Sequence, residues 1–292
     1  MSALPPSDAA VLRSQLEPAA EWLTAADGLL VTAGAGMGVD SGLPDFRGTE
    51  GFWRAYPPLA AARIRFEEIA NPVHFARDPV LAWGFYGHRL ALYRQTRPHG
   101  GFSILRRFGA NLPDGAWVFT SNVDGQFQKA GFDPARICEI HGSIHHLQCR
   151  EPCCEAIWPA DEFAPEVDPA SCRLSNEAPI CPYCGSLARP NILMFGDFSW
   201  VETRTRQQQE ALDAWRQRVR RLMVIELGAG LAVPTVRWYG ESLGVPLLRI
   251  NTTQPEVTSA RAVGVSAGAA EALSVLAALM RDRGWVTQDE DR

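Results

Sequence analysis

Gly28-Leu29-Leu30-Val31-Thr32-Ala33-Gly34-Ala35-Gly36-Met37-Gly38-Val39-Asp40-Ser41-Gly42-Leu43-Pro44-Asp45-Phe46-Arg47-Gly48 is the stretch from which the rest of the chain can be read. The apolar run Gly28–Ala33 fits a buried strand. Close-set glycines at its carboxyl end suggest a backbone that must come near a phosphate. Gly34 and Gly36 make Gly-x-Gly, but Val39 stands where the dinucleotide fingerprint has its third glycine. A Gly-x-Gly after a strand is a plain turn about as often as a phosphate loop. The continuation Ser41–Gly48 is more specific. It sets an acid (Asp45), an aromatic ring (Phe46) and a guanidinium (Arg47) directly after the turn.

Further apolar β-type runs follow at Trp117–Thr120, Ile137–Ile140, Ile192–Phe195, Leu222–Leu227 and Leu247–Ile250. Helical patterns lie between them at Asp78–Arg94, Gly101–Phe108, Val201–Arg218 and Ala267–Arg283. Strands alternating with helices predict an α/β fold with a doubly wound parallel sheet. Residues 48–98 are helix-rich and hold no clear strand. Residues 149–188 carry every cysteine except Cys138, several prolines and little helical periodicity. Both segments read as insertions. The expected organisation is one catalytic domain, with a large lobe from 20–47, 99–148 and 189–285 and a small lobe from 48–98 (helical) and 149–188 (zinc-binding).

Composition bounds the function. The chain has 292 residues, ordinary globular composition and a formal net charge of −5. No broad basic surface for nucleic acid is expected. No apolar run approaches the ~20 residues that span a bilayer, so no membrane partner is expected. The first residues carry Asp8 and Glu17, lack an apolar signal core and are poor in Arg, which points to a cytoplasmic protein. In such a compartment, metal ligation or buried thiols are favoured over disulfides.

Three polar clusters fall at strand ends: the glycine turn, Thr120-Ser121-Asn122-Val123-Asp124-Gly125, and Glu139-Ile140-His141-Gly142-Ser143. In an open α/β sheet, ligands bind at the carboxyl ends of the strands, so the three converge on a cofactor site. Histidine is the side chain most easily tuned to accept a proton near neutral pH. The plainer alternative is that Asn122 and Asp124 cap a helix and His141 is a core histidine. Cys149-x₃-Cys153 and Cys181-x₂-Cys184 are two close thiol pairs separated by a longer loop, the usual encoding of a tetrahedral Zn²⁺ site. Cys153 and Cys154 are adjacent and only one can point at the metal. Cys153 is favoured, and Cys172 is a spare. Four thiolates leave no open position for water, so one structural zinc per chain is expected.

These clusters resemble the signatures of the sirtuins, the NAD-dependent protein deacylases, over about Ala25 to Leu279. The resemblance implies a Rossmann-like sheet with a smaller lobe, NAD as cofactor and acylated lysine side chains of proteins as substrate. It further implies acyl transfer to ADP-ribose with release of nicotinamide. By resemblance, His141 is the general base, Asn122 holds the nicotinamide ribose, and Val123 and Asp124 bind the carboxamide. Gly34, Ala35, Gly36, Asp45, Phe46 and Arg47 line the nicotinamide and phosphate region. Ser121 replaces a glutamine that touches a ribose, and Gln126-Phe127 replaces Leu-His. Gly228-Ala229-Gly230 stands where the family carries Gly-Thr-Ser, losing two hydroxyls. Asn251 fits the adenosine-side asparagine. Arg189–Asp197 resembles the segment that pairs with substrate peptide, making Phe195 and Gly196 substrate-binding candidates. Tyr86 and Arg89, three apart on one helix, resemble the Tyr-x-x-Arg of sirtuins that remove acidic acyl groups. The departures leave a second function open: an NAD glycohydrolase or ADP-ribosyltransferase of the same fold.

Overall fold

The computed structural model of the chain describes residues 6–45 and 48–285. It begins with α1 (Pro6–Ala25), β1 (Gly28–Ala33) and a 3₁₀ turn over Ala35–Ser41. Then come α2 (Gly48–Ala55), α3 (Pro57–Ala61), α4 (Phe66–Ile69), α5 (Val73–Arg77), α6 (Pro79–Gln95) and α7 (Gly100–Ala110). β2 (Gly115–Thr120), α8 (Gln126–Lys129) and β3 (Ile137–Glu139) lead into β4 (Gly142–Cys149), β5 (Ile157–Pro159), β6 (Val167–Asp168), β7 (Arg173–Leu174) and β8 (Ala188–Ile192). The chain finishes with α9 (Thr203–Arg216), β9 (Leu222–Leu227), α10 (Thr235–Ser242), β10 (Leu247–Ile250), β11 (Ala262–Val265) and α11 (Ala269–Asp282).

Six strands form a parallel sheet in the order β11-β10-β9-β1-β2-β3. Side chains alternate between its faces. Leu29, Val31 and Ile225 pack with Leu16, Leu105 and Leu276 from α1, α7 and α11. Leu30 and Val224 pack with Leu212, Trp215 and Val236 from α9 and α10. A parallel sheet must be covered on both faces, which explains why every residue of β1 and β9 is buried. The register sets the site. Ala33 lies beside Thr120 and Leu227, Thr120 beside Glu139, and Leu227 beside Ile250. The loops that begin at Gly34, Ser121, Ile140, Gly228 and Asn251 therefore leave the sheet at one level.

Two expectations are corrected. The run Ile192–Phe195 is no strand of the main sheet. β8 ends at Ile192 and pairs antiparallel with β4 in a separate sheet of order β5-β4-β8. Beyond it, the Leu193 and Phe195 N–H groups donate to His141 and Ala70 carbonyls instead of to a strand. The sixth parallel strand is β11, Ala-Val-Gly-Val, whose small residues give little apolar signal. Gly264 allows it to pass Pro255, whose carbonyl oxygen would lie 1.8 Å from an added Cβ. A second core joins Phe52, Phe75, Trp83 and Tyr86 from the helices of 48–98 to Cys172 and Leu174, and also to Ile144, Leu147 and Ile192 of β4 and β8. The two-lobe division proposed from the sequence thus shares these two strands between lobes.

Candidate active site

The strand-end loops are tied to one another by direct hydrogen bonds. Gly36 N–H donates to the Gly228 carbonyl at 3.0 Å, and Gly34 N–H to the Leu227 carbonyl at 2.9 Å. Asn122 Nδ2 donates to the Gly34 carbonyl at 3.0 Å. Asn251 Nδ2 donates to the Ala229 carbonyl at 2.9 Å, while its Oδ1 accepts the N–H groups of Thr253 and Gln254. The His141 ring bonds the Ser121 backbone. The glycines have a local cause. A Cβ on Gly36 would lie 2.7 Å from Gly228 Cα, and one on Gly228 would lie 2.3 Å from the Gly36 carbonyl carbon. The loops after β1 and β9 touch backbone to backbone at the edge of the cleft.

Burial lowers the pKa of His141, against the opposing effect of its hydrogen bond to Ser121. The imidazole is therefore neutral at pH 7 and able to accept a proton. Asp124 is buried, and loss of hydration raises its carboxyl to about 6 despite the Gln126 N–H that it accepts at 2.9 Å. That hydrogen bond closes a turn just ahead of α8, whose N-cap is Gly125 and not Asp124. Val123 is buried in the second core, and its carbonyl accepts Ile144 N–H at 3.0 Å. A cleft of about 80 Å³ opens between Gly36, Asp45, Gly228, Asn251, Thr252 and Gly268. A larger hollow of about 530 Å³ lies between Asp27, Asp114 and Arg221, at the amino ends of the strands. Strand order argues for the smaller one, because the loops at the carboxyl edge carry the polar clusters. Gly34, Ala35, Ser121 and Ala229 stand at this edge with them, and Gly230 is exposed beside it. Phe46 and Arg47 lie outside the described residues.

Four residues singled out less or not at all in the sequence also shape the site. Asp40 Oδ2 accepts the Ala270 N–H and so caps α11 across the cleft, at 2.8 Å. His99 bridges the glycine turn to α7: its Nε2 meets the Met37 carbonyl and its Nδ1 accepts Gly101 N–H, both at 3.0 Å. His145 Nε2 meets the Asp124 carbonyl at 2.9 Å. Gln126 Nε2 donates to the Tyr93 carbonyl at 3.1 Å, joining α8 to α6. A buried glutamine in place of a leucine was the one visible signal for the last.

Tyr86 and Arg89 are both buried on α6, at 1% and 7% exposure. Arg89 Nε donates to the Tyr93 hydroxyl at 2.9 Å, and its guanidinium lies 5.3–5.7 Å from the ring centres of Phe85, Tyr86 and Tyr93. Tyr86 stacks on Phe75, and burial pushes its hydroxyl up to about 12. Phe195 is part-exposed, and Gly196 follows it in the left-handed region at φ +65°.

The thiols of Cys149, Cys153, Cys181 and Cys184 all lie within 4.8 Å of one another. The Cys149–Cys184 and Cys153–Cys181 pairs are each 3.7 Å apart. A tetrahedral site with Zn–S of about 2.3 Å has edges of about 3.8 Å, so the donor set fits zinc. The Ser186 hydroxyl and N–H hold the Cys184 thiol down to about 6, towards the thiolate a metal requires. Cys154 touches only the rim of this group, through Cys153, and Cys172 lies elsewhere, in the second core.

The Sir2 family model matches residues 34–233. Curated relatives share the chain's pattern to different extents. The NAD-dependent protein deacylase of Pyrococcus furiosus is 36% identical over 56% of this chain and 59% of its own length. Those of Aquifex aeolicus (27% identical, 79% of this chain, 85% of its own) and Thermococcus kodakarensis (29%, 90% and 95%) align over more. The solved structure of a Sir2 homolog–NAD complex superposes with a TM-score of 0.67 over 91% of this chain and 94% of its own, at 24% identity, a likeness of fold. With the family model spanning most of the chain and the glycine turn, Asn122, Asp124 and His141 gathered at one sheet edge, this chain belongs to the Sir2 family.

Proposed function

We propose that this enzyme is an NAD-dependent protein-lysine deacylase, the activity by which its curated relatives are named. The observation that carries the reading is the bonded series at the sheet edge: His141 to Ser121, Asn122 to Gly34, Gly36 to Gly228 and Asn251 to Ala229. NAD supplies the ribose carbon that accepts the acyl oxygen as nicotinamide leaves. His141, neutral and half-buried, accepts the proton of a ribose hydroxyl so that the acyl group can move to it. Asn122, fixed through Gly34, orients that ribose. Asp124 and Val123 hold the carboxamide. Backbone N–H groups of the two packed glycine turns would bind the phosphates. Cys149, Cys153, Cys181 and Cys184 would hold a structural zinc.

The deciding assay mixes the protein with NAD and acyl-lysine peptides and follows nicotinamide and peptide separately. Acyl-dependent nicotinamide release supports deacylation, whereas acyl-independent release would give the glycohydrolase or ADP-ribosyltransferase reading instead. His141→Ala is expected to lower the rate about 10²–10⁴-fold with NAD binding retained. A rate within threefold of wild type would remove His141 as the base.

For the acyl group, Arg89 supports a preference for acidic chains such as succinyl- or malonyl-lysine. A carboxylate entering an apolar pocket needs a paired cation, and Tyr93 holds the Arg89 fork in a ring-lined box. A charge-assisted hydrogen bond of about 1.5–3 kcal/mol corresponds to a roughly 10- to 150-fold preference. Arg89→Met should collapse the succinyl-to-acetyl ratio of kcat/KM. An unchanged ratio would show that Arg89 does not read the acyl group.

A further inference from the structure

We propose that α9 holds the base in place: Thr205 and Gln208, with Arg204 beside them, fix Glu139 and so position His141 two residues later. The proposal rests on the deacylase reading above and adds positioning residues to its site. It starts from the edge of the sheet. β3 closes the parallel sheet at one end, has β2 as its strand neighbour and is three residues long, Ile137–Glu139. Successive residues of a strand turn their N–H and C=O groups to opposite sides. Half of the main-chain groups of an edge strand therefore face away from the sheet and need other partners.

At this edge α9 takes the place of a further strand. Ile140 N–H donates inward, to the Thr120 carbonyl at 2.9 Å. Glu139 bonds the other way. Its N–H donates to Gln208 Oε1 at 3.1 Å, and its carbonyl accepts the Thr205 hydroxyl at 3.0 Å. Its carboxylate accepts Arg204 Nη2. Thr205 and Gln208 are three apart and Arg204 and Gln208 four apart, so the three side chains share one face of the helix. The main-chain donor, the main-chain acceptor and the carboxylate of one residue are thus each bound by one helix. Glu139 and Thr205 are 1% and 3% exposed, so water does not replace a hydroxyl removed from Thr205, and the Glu139 carbonyl is left buried without it. His141 follows at once. Its carbonyl accepts Leu193 N–H at 3.0 Å, and its ring bonds the Ser121 backbone. These contacts hold the base from the sheet side, and α9 holds the segment that delivers it from the outer side. A short edge strand is the kind of element that opens locally. A displacement of about 1 Å at a reacting group can cost about 100-fold in rate.

The test uses Thr205→Val, which removes the hydroxyl, Thr205→Ser, which returns it, and Gln208→Leu, a second variant at a half-buried position in case the first does not fold. Initial rates with NAD and an acyl-lysine peptide give kcat and both KM values per folded molecule. Thr205→Val and Gln208→Leu should lower kcat about 10- to 100-fold and leave both KM values within about threefold of wild type. Thr205→Ser should restore most of kcat. Amide hydrogen exchange at Ile140 and Leu193, whose N–H groups bond on either side of His141, should quicken about tenfold or more in Thr205→Val and Gln208→Leu, against unchanged exchange in β1. A merely structural role would lower the unfolding midpoint and leave kcat per folded molecule unchanged, which would overturn the proposal. Unchanged exchange at both amides would overturn it too. A wild type that deacylates no peptide, with exchange still quickened in the variants, would overturn the deacylase reading and leave the placement of His141 by α9 standing.

Discussion

Replacing Gly228 by alanine tests whether the two strand-end turns meet as described. Gly228 has φ +59°, where an L side chain costs about 1–2 kcal/mol. Its added Cβ would lie 2.3 Å from the Gly36 carbonyl carbon and 2.4 Å from Gly36 Cα and Met37 N. These are backbone atoms and no rotamer relieves them. Overpacking of this kind costs about 1–3 kcal/mol, so Gly228→Ala should lose about 2–5 kcal/mol. Two controls separate the causes. Gly244 has φ +62° but nothing within 4 Å, so Gly244→Ala should lose only the backbone cost, about 1–2 kcal/mol. Gly230 has no positive φ and its nearest neighbour is Gln254 Oε1 at 4.0 Å, so Gly230→Ala should change stability by under about 0.5 kcal/mol. Urea unfolding with comparable slopes gives all three numbers. If Gly228→Ala costs no more than Gly244→Ala, the turns do not touch, and the packing argument for the glycines at 34, 36 and 228 fails.

Metal analysis should give about one Zn²⁺ per chain, and Cys181→Ser should lose both zinc and fold, while Cys154→Ser keeps them; a folded, zinc-free wild type would contradict the site. Stability should fall between pH 7 and pH 5. All six histidines have pKa values lowered by burial, His146 to about 4. For each, the unfolded chain takes up the proton first, so the stabilisation is complete above 6.5 and is lost as pH drops below it. Asp124 works in the opposite direction, since its raised value favours the folded state as pH falls from about 6 towards 3.8, but it is one group against six. An unfolding midpoint at pH 5 equal to that at pH 7 would refute this sign. The rate should show an acid limb below pH 6.5 as His141 becomes protonated.

What the sequence revealed and what it hid have the same physical origin. Central strands buried on both faces announce themselves as continuous apolar runs, and Gly28–Ala33 and Leu222–Leu227 did so. β11 lies at the sheet edge and is Ala-Val-Gly-Val, too small to stand out. Ile192–Phe195 has the composition of a strand, but its N–H groups are taken by His141 and Ala70, partners far away in sequence. α1 was legible in principle: Leu12, Leu16, Ala19, Ala20 and Leu23 are all buried at helical spacing, and Pro18 inside it masks the pattern. At the site, the residue types were readable because their chemistry is narrow, whereas the partners that tune them were not. Nothing local says that Asp40 caps a helix starting at Ala269, or that Tyr93 orients Arg89. The glycines show the difference most clearly. Read along the chain, Gly34 and Gly36 suggest closeness to a phosphate. Folded, their first neighbour is another glycine turn, a contact fixed by the register of β1 against β9. If these turns bind the NAD phosphates as proposed, the site is a property of two turns together, and a substitution in either should disturb the binding made by the other.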